Sequence, residues 1–245
     1  MTVQEMSNEF DVQYDNVSSK SAPALDDYEK SVFLTRSMYK ILDMSISSLI
    51  KEGESTMREI YKKLIESYET SSQLGESGTR KKLVSNAVFY ARSPKTYKVL
   101  LEQVKLNSSD PYLNGHVAQV IPVPYDRLHR ILRNPFLGAE KDRVLRTNNG
   151  IEGSSSIVQL VPPANATIES YLTQIIRKPY PIIISDLSVL YPTDPLSIYG
   201  ETLPYSATEA TDISEIVHDE IIETAVKMAI LHFRENSLSN NLQMQ

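Results

Sequence analysis

ATIESYLTQIIRKPYPIIISDL, residues 166–187, and TDISEIVHDEIIETAVKMAILHF, residues 211–233, together decide the fold. The first opens with two-residue alternation. Ile168, Ser170, Leu172, Gln174 and Ile176 fall on one face of a strand from Thr167 to Arg177, with Glu169, Tyr171, Thr173, Ile175 and Arg177 on the other. Both faces carry apolar side chains, which predicts a strand covered on both sides. The run Lys178-Pro179-Tyr180-Pro181 ends it, since proline has no N–H to give to a sheet. The second stretch is helical, with Asp212 as N-cap and Glu215 three residues on, a variant of the capping box. Ile216, Val217, Ile221, Ile222, Ala225, Val226, Met228, Ala229, Ile230, Leu231 and Phe233 cover more than half of its circumference. A helix this apolar packs against more than one surface. Either both surfaces belong to its own domain or one belongs to a neighbouring subunit.

Toward the N-terminus, Val3, Met6, Phe10, Tyr14 and Val17 recur at spacings of three and four, one stripe of an amphipathic helix. Ala22-Pro23-Ala24 interrupts it, and the first 20 residues are either a packed helix or a tail that folds on a partner. A second helix starts at Asp26, a good N-cap, with Val32, Phe33, Met38, Ile41 and Leu42 as apolar positions, and fades in the run Ser45 to Ser48. After Gly53, Met57, Ile60, Tyr61, Leu64, Ile65 and Tyr68 predict a third helix.

Beyond Gly75 and Gly78 the period shortens toward two. Ala87–Ala91 reads as a strand; Tyr97–Leu106 fits strand or helix, and strand is favoured because a loop and a β-like run, HVAQVIPV, follow it. A short helix, RLHRILR, begins after Pro124-Tyr125-Asp126 and stops at Asn134-Pro135. Arg143–Arg146 and Ser156–Val161 are strands on either side of a flexible stretch, NNGIEGSSS. Helices, then strands, then a final helix make an α+β domain: N-terminal helices, a central antiparallel β region with a short inserted helix, and a long C-terminal helix. The expected divisions are an N-terminal helical region at 1–75, a β-rich region at 80–185, a proline-rich connecting loop at 186–211, the C-terminal helix at 212–235 packing on the same core, and a flexible tail at 236–245.

The absence of cysteine excludes disulfides, thiolate metal sites and thiol nucleophiles. The N-terminal residues lack a basic start and an apolar core, and no segment approaches the roughly 20 apolar residues that span a bilayer, so no signal peptide or membrane association is expected. His218 and His232 lie 14 residues apart on one predicted helix, about 21 Å along its axis, and cannot share a metal. His218 beside Glu215 and Asp219 reads as part of a solvated helix face, and His116 and His129 stand alone. No nucleophile elbow, P-loop or dinucleotide fingerprint is present, since Gly75-Glu76-Ser77-Gly78 has neither the spacing nor a following lysine. No enzyme activity and no cofactor are expected.

The net charge of −6 is uneven: residues 80–146 hold 13 Lys/Arg against 5 Asp/Glu, leaving −14 elsewhere. Arg127, Arg130 and Arg133 recur on the short helix, and Arg80-Lys81-Lys82 adds a cluster able to contact DNA phosphates. One reading of this block is a DNA-binding packaging or regulatory factor.

Four runs carry a family resemblance: LDDYEKSVFLTRS (25–37), VIPVPYDRLHRILRNPF (120–136), YLTQIIRKPYPIIISDL (171–187) and ISEIVHDEIIETAVKMAI (213–230). In these runs and their order the chain resembles a virion structural protein of crAss-like tailed phages. The resemblance implies a neck protein, a head-to-tail connector ring subunit that assembles in the host cytoplasm. It would oligomerise around the DNA channel and dock to the portal and to other neck or tail proteins. Arg127, Arg130, Arg133, Arg177, Lys178, Tyr180, Ile221 and Met228 are the expected subunit or partner contacts, with Arg80, Lys81 and Lys82 facing DNA.

Overall fold

The computed structural model describes residues 1–17, 24–52, 59–78, 80–134, 136–186 and 211–243. It contains two compact units, Met1–Leu64 with Pro179–Gln245, and Ile65–Lys178. The Ala22-Pro23 break, Met57, Pro135 and the proline-rich loop between Asp186 and Thr211 lie outside the described residues.

The first unit is helical. Helix α1 spans Val3–Val17 and α2 spans Asp27–Glu52. Each opens on a reciprocal capping box. The Glu5 N–H donates to Thr2 Oγ1 at 3.2 Å while the Thr2 N–H donates to Glu5 Oε2 at 2.8 Å; Glu29 N–H to Asp26 Oδ1 at 2.7 Å and Asp26 N–H to Glu29 Oε2 at 3.3 Å repeat the arrangement. The α1 stripe holds: Val3, Met6, Phe10 and Tyr14 are all buried, and Phe10 stacks on Tyr14. The second helix does not fade in its serine run. Ser45 donates to the Ile41 carbonyl at 2.8 Å, a bond made inside a continuing helix.

The C-terminal helix, α4, spans His218–Gln243 and packs against both α1 and α2. Ile221, Ile222, Ala225, Val226 and Ala229 are buried, whereas Leu231 is 57% exposed. Asp212 does not cap it. A 3-10 turn at Glu215–Val217 leads in, with Ser214 at its N-terminal cap, because the chain enters through a tight turn before the α-helical ladder begins.

Between Pro181 and Ser185 the chain is extended and α2 supplies its hydrogen bonds. Thr35 Oγ1 accepts the Ile182 N–H at 3.0 Å and donates to the Ile182 carbonyl at 3.3 Å, and Ser31 Oγ accepts the Ile184 N–H at 3.0 Å. Ser31 and Thr35 lie one turn apart on one helix face, so two buried hydroxyls serve this backbone as a neighbouring strand would.

The second unit is a seven-stranded sheet: β1 (Ile65–Thr70), β2 (Val88–Ala91), β3 (Thr96–Asn107), β4 (Val117–Pro122), β5 (Arg143–Glu152), β6 (Ser155–Val161) and β7 (Thr167–Arg177), in the order β1-β7-β3-β4-β5-β6-β2. Of the third helix expected from the sequence, residues 59–61 are helical; from there the chain passes into a 3-10 turn, Lys62–Leu64, and then into β1, where Ile65 and Tyr68 pair with Ile176 and Thr173 of β7. The sheet is mixed, not antiparallel throughout: β4 and β5 run parallel, Val120 beside Val144. A parallel pair needs a crossover. The connection from Val123 to Asp142 provides it, carrying a 3-10 turn at Tyr125–Arg127 and the five-residue helix α3, Leu128–Leu132. Leu128 of α3 packs with Ala87, Val123, Leu145 and Val161.

Strand β7 departs from simple alternation. Lys105 pairs with Ser170 but Leu106 pairs with Ile168, so Glu169 is bulged out and the phase shifts by one residue. Ile168 and Tyr171, three apart, therefore share one core with Tyr90, Val104, Leu106, Val120, Val144 and Leu160. Residues 148–152 of the expected flexible stretch belong to β5, and Gly153, at φ +61°, turns the chain into β6. The sheet curls: the Tyr90 ring of edge strand β2 packs at a tilt of 45° against Tyr171 of β7 with ring centroids 5.3 Å apart, although four strands separate theirs in the sheet order. Leu74, past β1, donates its N–H to the Phe89 carbonyl of β2 at 2.9 Å, which ties the two ends together.

Candidate functional site

On the concave face of the curled sheet the apolar core gives way to a polar layer. Glu102 of β3, in phase with Val104 and Leu106, is buried, and its Oε1 takes a hydrogen bond from the Tyr171 hydroxyl and an ion pair from Arg92, which follows β2 in phase with Tyr90. Its Oε2 meets Arg146 Nη1 of β5 at 3.2 Å, in phase with Val144. Arg92 Nε also donates to the Tyr171 hydroxyl at 3.4 Å. Burial, with the Glu102 carboxylate beside it, pushes the Tyr171 phenol far above the usual tyrosine range, so it stays a donor.

Outward from this layer lies an open cavity of about 540 Å³. Arg92 and Arg146 form part of its lining, with Lys98, Ser93, Asn148 and Ser156, and no aspartate or glutamate among the described residues lines it. Three register irregularities cluster at its rim. Tyr97 and Leu100 are bulged from β3 against β7, and Asn149 from β5 against β6, where Gly150 takes φ +102°. Bulges at a rim re-aim the side chains beside them. The hairpin tip projects Ile151, 80% exposed, along one wall.

Of the residues singled out in the sequence, Arg127, Arg130 and Arg133 are exposed, since Leu128 turns inward from the same short helix. Arg177 is largely buried and pairs with Glu66 Oε1 at 3.0 Å, fixing β7 to β1. The Lys178 N–H donates to the Lys95 carbonyl. Tyr180 is 40% exposed and Met228 half-buried, but Ile221 has no exposed surface: it is core in its own chain, and its carbonyl accepts from Ser37 Oγ at 2.6 Å. Arg80 is paired with Glu152 at 3.2 Å, while Lys81 and Lys82 are exposed.

His218 is not on a solvated face. It is buried, and burial holds its imidazole below the usual value against the opposing pull of Glu215 and Asp219. His116 Nε2 lies 2.7 Å from Asp142 Oδ1, joining the loop before β4 to the loop before β5. Among the described residues no group of three or more His, Asp or Glu is placed to hold a metal, and no helix is long and apolar enough to cross a membrane.

The sequence reading passed over Arg92, Glu102 and Arg146. A signal was present, in that each continues an apolar alternation with a charge: Tyr90 to Arg92, Val104 back to Glu102, Val144 to Arg146. Only the curl of the sheet reveals that the three charges share one layer.

A model of the family described as phage tail ring protein 3/4 matches residues 1–241. Ring protein 3 of Bacteroides phage crAss001 is 34% identical over 239 residues, covering 94% of this chain and 96% of that protein. Ring protein 4/5 of the same phage is 29% identical over 229 residues, covering 94% of this chain and 92% of that protein.

Proposed function

Because this chain belongs to the phage tail ring protein 3/4 family of crAss-like phages, a family of structural ring proteins, we propose that it is the non-enzymatic subunit of a homo-oligomeric neck ring in the virion. The ring is a head-to-tail connector, surrounds the DNA channel and docks portal to tail components. The observation that carries this reading is the span of the family match, 1–241, which takes in both compact units and not one shared module.

Charge supports it. The helical unit holds 21 Asp/Glu against 10 Lys/Arg, or −11, and the β unit 10 against 15, or +5. A closed ring of identical subunits uses heterologous contacts, two different patches per subunit that must complement each other. Opposite signs on the two units meet that need and steer subunits into one orientation. Arg127, Arg130 and Arg133 present the basic patch, Tyr180 and Met228 contribute to contacts of the helical unit, and Lys81 and Lys82 face the channel. Ile221 is left out, being core.

Size-exclusion chromatography with light scattering, alone and mixed with portal protein, tests the reading. A discrete oligomer or a portal complex is expected; a strict monomer that ignores portal protein overturns it.

A further inference from the structure

From the basic cavity at the mouth of the curled sheet, we infer that the β unit carries a socket for an acidic peptide segment, and that its occupant is supplied by the acidic helical unit of a second copy of this chain. The inference rests on the ring reading above and assigns that reading a specific contact.

The cavity's chemistry selects an oxyanion. Arg92, Arg146 and Lys98 line it with no acidic residue among the described residues, and Ser93, Asn148 and Ser156 add neutral donors. Beneath it Glu102 neutralises one of the two arginines, so the floor and Lys98 leave an excess of about two positive charges facing the opening. Glu102 also fixes the guanidinium groups: each is tied to it by an ion pair, and Arg92 also to Tyr171, so neither has to be ordered when a ligand arrives. The bulges at Tyr97, Leu100 and Asn149 surround this opening, at the end of the sheet where regular pairing breaks down.

Size and lining choose a peptide over a free ion. A cavity of about 540 Å³ is far larger than one carboxylate or sulfate. Its wall is apolar at Tyr97, Val99 and Ile151, and Ile151 is 80% exposed in the monomer. An occupant with an acidic head and an apolar neighbour fits both surfaces. The helical unit, at −11, is acidic enough to supply it from another copy, and the β unit, at +5, attracts it.

The test uses the full chain in two measurements. In dilute solution, the side-chain Nε–Hε resonances of Arg92 and Arg146 are followed by NMR while three probes are added: a blocked Ala-Glu-Ile-Glu-Ala peptide, its Gln counterpart, and inorganic sulfate. The Glu peptide shifts both resonances and the Gln peptide does not, and the double variant Lys98→Glu/Asn148→Asp loses the response. Lys98 and Asn148 are exposed and outside the buried ion-pair layer, so an unchanged thermal melt checks that the variant is folded. Response to sulfate without response to the Glu peptide assigns the cavity to a small free oxyanion and overturns the proposal, as does silence to all three. In the second measurement, assembly is followed against concentration, and the double variant requires about tenfold more protein while Lys98→Arg assembles like wild type. If wild type assembles and the double variant assembles equally well, the socket is refuted and the ring reading stands. If wild type never assembles, the ring reading fails and takes the second copy as occupant with it, whichever way the titration reads.

Discussion

Glu102 on β3 and Arg146 on β5 meet at 3.2 Å although β4 lies between their strands. The curl of the sheet brings Arg92, just past edge strand β2, to the same carboxylate, which leaves it between two arginines in a largely buried layer. Glu102→Ala strands both positive charges, and the expected loss is about 3–5 kcal/mol of unfolding free energy. Replacing Arg92, Glu102 and Arg146 together by Met, Leu and Met recovers most of it. Urea denaturation of both variants checks the pair of outcomes.

Thr35→Val tests the hydroxyl support of the extended segment. Valine keeps the shape but leaves the buried Ile182 N–H without its acceptor. The expected cost is about 1–3 kcal/mol, more than an ordinary lost hydrogen bond. Thr35→Ser, which keeps the hydroxyl, costs less, and the two denaturation midpoints separate the explanations.

His218 gives the fold a pH dependence with a definite sign. Burial lowers its folded pKa below the ordinary 6.5, so the unfolded chain binds the extra proton first. Its contribution is fully present above about pH 6.5 and is lost as pH falls through the lowered folded value. Thermal melts of wild type and His218→Gln between pH 5 and 8 are expected to converge toward the acid end. A wild-type melting temperature that rises on acidification, relative to His218→Gln, contradicts this.

Ile222 and Leu231 sit on one helix with opposite surroundings, fully buried and 57% exposed. Ile222→Asp is expected to unfold the helical unit, because an uncompensated buried charge costs several kcal/mol. Leu231→Asp is expected to change stability by less than about 0.5 kcal/mol. Circular dichroism reads the first outcome. For the second, a folded chain with weakened assembly in light scattering places Leu231 in a subunit contact.

Much of the architecture was legible from periodicity. The α1 stripe, six of the seven strands, the short inserted helix and the apolar C-terminal helix all follow from spacing three to four or spacing two. Three features were not, each for a local reason. The segment around Ile65 fits a helical stripe, but Ile65, Ser67 and Glu69 also find partners on β7, and tertiary pairing overrode the local pattern. The parallel β4–β5 pair has no signature within either strand; it depends on the length and path of the crossover. Alternation in β7 read correctly residue by residue yet assigned Ile168 to the wrong companions, because one bulge at Glu169 resets the phase and bulges leave no fixed mark in composition. The polar layer was hidden for a related reason: Arg92, Glu102 and Arg146 lie 10 and 44 positions apart, and only curvature collects them.

The tie from Leu74 to Phe89 bears on how such a chain survives before it is used. An open sheet presents bare amides and carbonyls at its borders, a template on which identical chains stack without limit. Here the outer strands are brief, six residues for β1 and four for β2, and a backbone hydrogen bond from the same chain already occupies part of β2. Strand-to-strand polymerisation is therefore a poor competitor. In the ring proposed above, copies then meet through side-chain contacts, which can stop at a fixed number, where a growing ribbon of strands would not.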